Sequence, residues 1–153
     1  MAVNIPAEDR LAIQDLLARY AWALDTGDDE AYAQLFTPDG VFIERGQPFT
    51  GRDALAAHVR ELTAVMRPGN RHHNTQLLFE SGDANRCVIR SYSTHIYEPE
   101  PGAPKVVRMQ GHYRDVCVKL DGLWYFAERS WDEWHSDSLA EYRLAPRLLI
   151  TSS

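Results

Sequence analysis

The sequence predicts an α+β fold in which three helices of the N-terminal half pack on one face of a strongly curved β-sheet and enclose a pocket. Three observations carry this. Helical periodicity occupies the chain up to about Val65; strand alternation replaces it after Asn70; and the strand segments are long, the longest running from Val106 to Leu120. Helices first and antiparallel strands afterwards is the segregated layout of α+β proteins. Long strands in a small sheet must twist and curl. A curled sheet closed by helices is a cone with a mouth, a natural place for a small molecule.

From Ala7 to Leu24, apolar residues recur at Leu11, Ile13, Leu16, Leu17, Tyr20, Ala21 and Leu24, a helical stripe. Thr26-Gly27-Asp28 ends it, Gly27 suiting the left-handed position past a helix. Asp28 then caps a short second helix through Phe36, with Tyr32, Leu35 and Phe36 on its apolar side. Thr37-Pro38-Asp39-Gly40 reads as a turn into a strand, Val41–Ile43. Thr50-Gly51-Arg52-Asp53 opens a third helix to about Val65, stopped by Pro68-Gly69. Four strands follow, Arg71–Glu80, Asn85–Tyr97, Val106–Leu120 and Leu123–Asp132, with hairpin signals at Ser81-Gly82-Asp83 and Asp121-Gly122. The apolar tail beyond Glu133, with Leu139, Tyr142, Leu144, Leu148, Leu149 and Ile150, is expected to pack and to close the mouth.

The 153 residues fit one domain spanning 1–153, and 44% hydrophobic with 25% charged residues is ordinary for a globular chain. The net charge is −6 and the sixteen Lys and Arg never form a run of three, so the basic footprint of nucleic-acid binding is missing. The longest apolar run, Tyr20–Leu24, is far below the ~20 residues of a membrane span. No secretory pattern opens the chain, and a cytoplasmic location is expected. Cys87 and Cys117 lie in apolar stretches and match no redox or zinc spacing; both are expected as buried thiols.

Asp25 follows Leu24 at the edge of the apolar stripe. It either caps the Thr26-Gly27 turn or presents a carboxylate to the interior, where it needs a partner. In Arg71-His72-His73-Asn74-Thr75-Gln76, alternation puts His72, Asn74 and Gln76 on one face and His73, Thr75 and Leu77 on the other. One histidine must face inward, and the strand alone leaves open which. A hairpin turning near Gly82-Asp83 sets His72 opposite Ser93, with His95 a neighbour. Tyr92, Met109, Gly111 and Trp131 are expected as pocket wall or core; Trp22, Trp124 and Phe126 as core. Arg129 either binds an anionic group or pairs with Asp115 or Glu128. Two His and one Asp could hold a metal, but the usual H-x-H or H-x-D spacing is missing, and neither metal nor cofactor is expected. Nucleotide-binding, serine-hydrolase and zinc-protease motifs are missing.

Arg19-Tyr-Ala-Trp-Ala-Leu-Asp25-Thr-Gly-Asp28, Leu35-Phe-Thr-Pro-Asp-Gly-Val-Phe42, Gly51-Arg-Asp-Ala-Leu55, Arg71-His72, Gly111-His-Tyr-Arg-Asp115 and Asp121-Gly-Leu-Trp124, with Phe126 and Arg129, occur in that order. In this arrangement the chain resembles the SnoaL-like branch of the nuclear transport factor 2-like superfamily. The resemblance implies a cone of curved mixed sheet with three helices. It extends to scytalone dehydratase, bile acid 7α-dehydratase and hexachlorocyclohexane dehydrochlorinase, which eliminate a leaving group without a cofactor through a histidine supported by a helix aspartate. Asp25 then matches the helix acid, His72 the base (His73 lying beside it), Tyr20 a pocket tyrosine and His95 a second polar residue on the next strand. Gln76 stands where many members carry Asn. His73, Asn74, Tyr92, Met109, Trp131 and Arg129 are the candidate substrate contacts.

The implied activity is a cofactor-independent, dehydratase-type lyase acting on a small, largely apolar cyclic or aromatic substrate. An isomerase or polyketide-type cyclase with the same base is the enzymatic alternative, and a binding or assembly module like a dioxygenase β subunit the non-enzymatic one. Self-association as a dimer or trimer through the outer face of the sheet is expected.

Overall fold

The computed structural model describes residues 3–65 and 69–135. The tail from residue 136 onward, expected above to pack over the mouth, lies outside the described residues. The elements are α1 (Ala7–Thr26), α2 (Asp29–Gln34), β1 (Phe36–Glu44), β2 (Gln47–Thr50), α3 (Arg52–Val65), β3 (Arg71–Gly82), β4 (Arg86–Tyr97), β5 (Val106–Leu120) and β6 (Leu123–Glu133). The six strands form one mixed sheet in the order β2-β1-β6-β5-β4-β3. Every neighbouring pair is antiparallel except β1 with β6. This is the predicted α+β class, with three helices in the N-terminal half. Among the described residues no helix is long and apolar enough to cross a membrane.

α1 ends as expected. Gly27 takes φ +70 and its N–H donates to the Leu24 carbonyl, and the Asp28 carboxylate accepts from Ala31 N–H at 2.9 Å to start α2. The buried stripe of α1 is narrower than predicted. Ile13, Leu16, Leu17, Tyr20 and Leu24 are buried, whereas Leu11 and Trp22 are 66% and 73% exposed. Each lies two residues from a buried position, about 200° around the helix, so it points away from the sheet. Trp22 is therefore not core, while Trp124 and Phe126 are.

Two departures concern β1 and β2. The stretch Thr37–Gly40 interrupts β1 instead of preceding it, since Phe36 already pairs with Phe126 and Val41 with Glu128. α2 consequently stops at Gln34, and Phe36 belongs to the sheet. Pro38 has no N–H to give a ladder, and at Gly40 a Cβ would lie 2.8 Å from that of Phe36. The short edge strand β2 escapes the sequence reading. Arg45 and Gly46, both at positive φ, form its hairpin without an Asn or Asp signal, and Pro48 suits an edge position. The β5–β6 turn follows its Asp-Gly signal, with Asp121 at φ +49 and Gly122 at +82. Cys87 and Cys117 are buried free thiols facing each other across β4 and β5.

β3 carries the register. His72 pairs with His95 and Asn74 with Ser93, but Leu78 pairs with Arg90 and Gly82 with Cys87. The hairpin turns later than expected, with Gly82 opposite Cys87 and Asp83 N–H donating to the Arg86 carbonyl, which moves His72 past the expected Ser93. Two bulges that place extra residues in β3 recover part of that shift, and His72 comes to rest two positions beyond Ser93. At the first bulge Gln76 adopts φ +52. The bulge also resets the alternation: His72 is buried, Asn74 is half-buried, and Leu77, expected on the opposite face, packs against the core.

Candidate active site

Asp25 sits in the last turn of α1, directly above the start of β3. The His72 backbone N–H donates to both carboxylate oxygens at 3.2 and 3.1 Å, and the His72 ring Nδ1 lies 2.5 Å from Oδ1. Both side chains are under one-tenth exposed. Thr26 donates its hydroxyl to the carbonyls of Trp22 and Ala23, while the Asp25 carboxylate turns to β3. Of the two readings of Asp25, the structure takes the inward one. The carboxylate binds Nδ1–H and leaves the lone pair of the neutral ring on Nε2, the tautomer a base requires.

His95 stands across the strand pair, its ring 4.1 Å from that of His72 and edge-on to it. On its other side Trp131 stacks at 5.7 Å. It is 6% exposed, and among the described residues neither ring nitrogen has a hydrogen-bond partner. Burial first, then the proximity of His72 and of the Arg108 and Arg45 guanidinium groups, lowers its pKa to about 3, so the ring is neutral at physiological pH. Trp131 is fixed by its indole N–H donating to Ser93 Oγ at 2.7 Å. Gly111 makes room for it: a Cβ there would come within 2.6 Å of the indole nitrogen. Met109 on β5 pairs with His95 and packs against the core.

Arg129 is fully buried. Its Nη1 donates to Asp115 at 2.5 Å and its Nη2 to Asn74 Oδ1 at 3.2 Å, and the guanidinium lies over the rings of Tyr113 and Tyr20 at 3.6 and 4.1 Å. Burial works against this charge, but Asp115 and the three surrounding tyrosines hold it protonated. Burial likewise pushes the Asp115 carboxyl up against the pull of Arg129. We take the pair as ionised at neutral pH, because a permanently charged guanidinium without solvent needs the countercharge. Arg129 thus takes the structural pairing with Asp115.

Tyr20 belongs to this second cluster. Its hydroxyl accepts from Tyr32 at 3.4 Å, and burial raises its pKa well above the ordinary value. Of the remaining candidates, Tyr92 is a correction. Its neighbours Ser91 and Ser93 point inward, so alternation turns Tyr92 to the opposite face, where it is exposed and stacks on Trp134. His73 is exposed for the same reason.

A groove of about 380 Å³ runs between α1 and β3, with His72, Asn74 and Ser91 among its lining and Trp22 and His73 at its exposed rim. Ser91 escapes a search by catalytic residue type; its alternation with Ser93 and His95 on β4 is the signal that locates it. Among the described residues no cluster of three His, Cys, Asp or Glu side chains is arranged to hold a metal.

The SnoaL-like domain model matches residues 6–130. The chain belongs to this family. Its architecture is that of the nuclear transport factor 2-like, cystatin-like fold. Among solved structures, this SnoaL-like chain is similar to a Mycobacterium tuberculosis protein of unknown function, solved as an aspartate-to-asparagine variant (32% identity, TM-score 0.77, covering 89% of this chain and 78% of that one). It is similar to a candidate scytalone dehydratase of Novosphingobium aromaticivorans (26% identity, TM-score 0.72, 83% and 85% covered). A third similar protein, from Catenulispora acidiphila, was solved in complex with S-DNPA (30% identity, TM-score 0.73, 84% and 95% covered). None of the curated proteins matches the chain.

Proposed function

We propose that this SnoaL-like chain is a cofactor-independent lyase that eliminates water from a small, largely apolar cyclic or aromatic substrate. The observation that carries this reading is the Asp25 carboxylate on His72 Nδ1 at 2.5 Å, facing a buried, neutral and unpartnered His95. The likeness to a candidate scytalone dehydratase supports it.

His72 Nε2 removes a proton from the carbon next to a carbonyl, and Asp25 stabilises the imidazolium that forms. The electron pair of the broken C–H bond delocalises onto the carbonyl oxygen. A neutral imidazole is too weak an acid to surrender its proton, so His95 acts as a hydrogen-bond donor to this developing oxyanion. As the enolate collapses, the C–O bond to the neighbouring hydroxyl breaks. The imidazolium returns its proton to that oxygen, water leaves and a C=C bond remains. Tyr20, engaged with Tyr32 and held well above its ordinary pKa, serves the packing around Arg129.

His72→Ala and Asp25→Asn should each lower turnover about 10²–10⁴-fold while circular dichroism stays unchanged. The assay is a panel of hydroxylated cyclic ketones, followed by mass spectrometry in deuterated water. Loss of one water identifies elimination; deuterium uptake without that loss identifies an isomerase using the same base. Full activity in both variants removes the dyad.

A further inference from the structure

We propose that the groove between α1 and β3 is a recognition subsite for a flat, uncharged, largely apolar molecule carrying one hydroxyl or carbonyl oxygen, with Ser91 as its specificity-determining contact. Ser91 is 2% exposed, and its hydroxyl has no hydrogen-bond partner among the described residues. A buried polar group in that condition is costly, and a ligand oxygen reaching it would remove the cost. Its neighbour on the same face, Ser93, is satisfied by the Trp131 indole, so the open position belongs to Ser91 alone of the two.

The rest of the groove fixes the ligand class. Among the described residues no Lys, Arg, Asp or Glu lines it, which leaves a charged ligand without a countercharge there. The α1 wall is built from Gln14, Leu17, Ala18 and Ala21, and beyond Gln14 its side chains are small or apolar and admit a flat body. Trp22, displaced from the core, stands at the rim where its indole face can cover that body. The volume of about 380 Å³ falls within the range of small-molecule sites. His72 lines the same groove. Taking its occupant as the substrate rests on the lyase reading; binding itself does not.

The test is a titration of the full chain with 2-naphthol and with naphthalene, followed by the Ser91 amide and Trp22 indole resonances in ¹⁵N-labelled protein. Both probes should perturb those signals. Ser91→Ala should weaken 2-naphthol by about 3–10-fold and leave naphthalene unchanged, the loss of one hydrogen bond. Trp22→Ala should weaken both probes together. The subsite is overturned if neither probe moves the two signals, or if Ser91→Ala leaves the ratio of the two affinities as it was. His72→Ala keeps the two proposals apart. Undiminished turnover in that variant removes His72 as the base, and no turnover by the unaltered chain on the ketone panel defeats the lyase reading. Either outcome leaves the affinity ratio to decide the subsite.

Discussion

His95 is the residue at which sequence and structure are most informative together. Its position two residues beyond Ser93 is legible; its state is not, because the depressed pKa arises from burial between His72 and Trp131, a consequence of the register. That state has a thermodynamic signature. A histidine free to protonate near pH 6.5 when unfolded, but only near 3 when folded, makes the unfolded chain bind more protons between those values. Its contribution to stability is therefore complete above about pH 6.5 and is lost as pH falls toward 3. From pH 7.5 to 5 this site alone should remove about 2 kcal/mol. His95→Gln keeps a polar side chain without the titration, and its urea midpoint should fall less over that interval than the wild type's. Equal pH slopes in the two proteins would mean that His95 is not held neutral.

At the scale of elements, helix positions and the Asp121-Gly122 hairpin were readable because they are local, Gly27, Asp28 and Asp121-Gly122 each acting on their own backbone, whereas Ser81 and Gly82, expected in a turn, are paired strand residues. The edge hairpin at Arg45-Gly46 and the bulges of β3 were not. Bulges answer to the strand paired beside them, and strict alternation along β3 therefore mis-phases everything after Gln76. The conformation of Gln76 gives its position a physical reading. A φ of +52 suits Asn, whose short side chain tolerates the left-handed region, and it suits Gly better still. Gln76 is exposed and carries no core contact to lose. Gln76→Gly should raise stability by about 0.5–1 kcal/mol, the relief of left-handed strain less the added freedom of the unfolded chain. Chemical denaturation checks it, and a destabilised variant would show that the Gln76 side chain holds the bulge.

Across the whole molecule, the candidate site hangs on a buried ionic centre that the sequence offered only as one of two options for Arg129. Asp115 on β5, Arg129 on β6 and Asn74 on β3 are joined by hydrogen bonds, and Tyr20 brings α1 onto the guanidinium. The centre therefore spans the elements that carry His72 and Asp25. Pairings of this kind depend on which strands become neighbours, and β5 and β6 meet Arg129 to Asp115 directly in register. With both partners at 0% exposure, removing one leaves the other charged and without solvent. Asp115→Asn should cost about 3–5 kcal/mol for that reason. Arg129→Met alone leaves a carboxylate that can escape by protonation, which burial already favours, so it should cost less. In the double variant no uncompensated charge remains. It should be more stable than Asp115→Asn alone, and a double-mutant cycle should return a coupling of at least about 2 kcal/mol. Strict additivity of the two penalties would show that the pair is not ionised, and the centre would then be held by its aromatic packing rather than by charge.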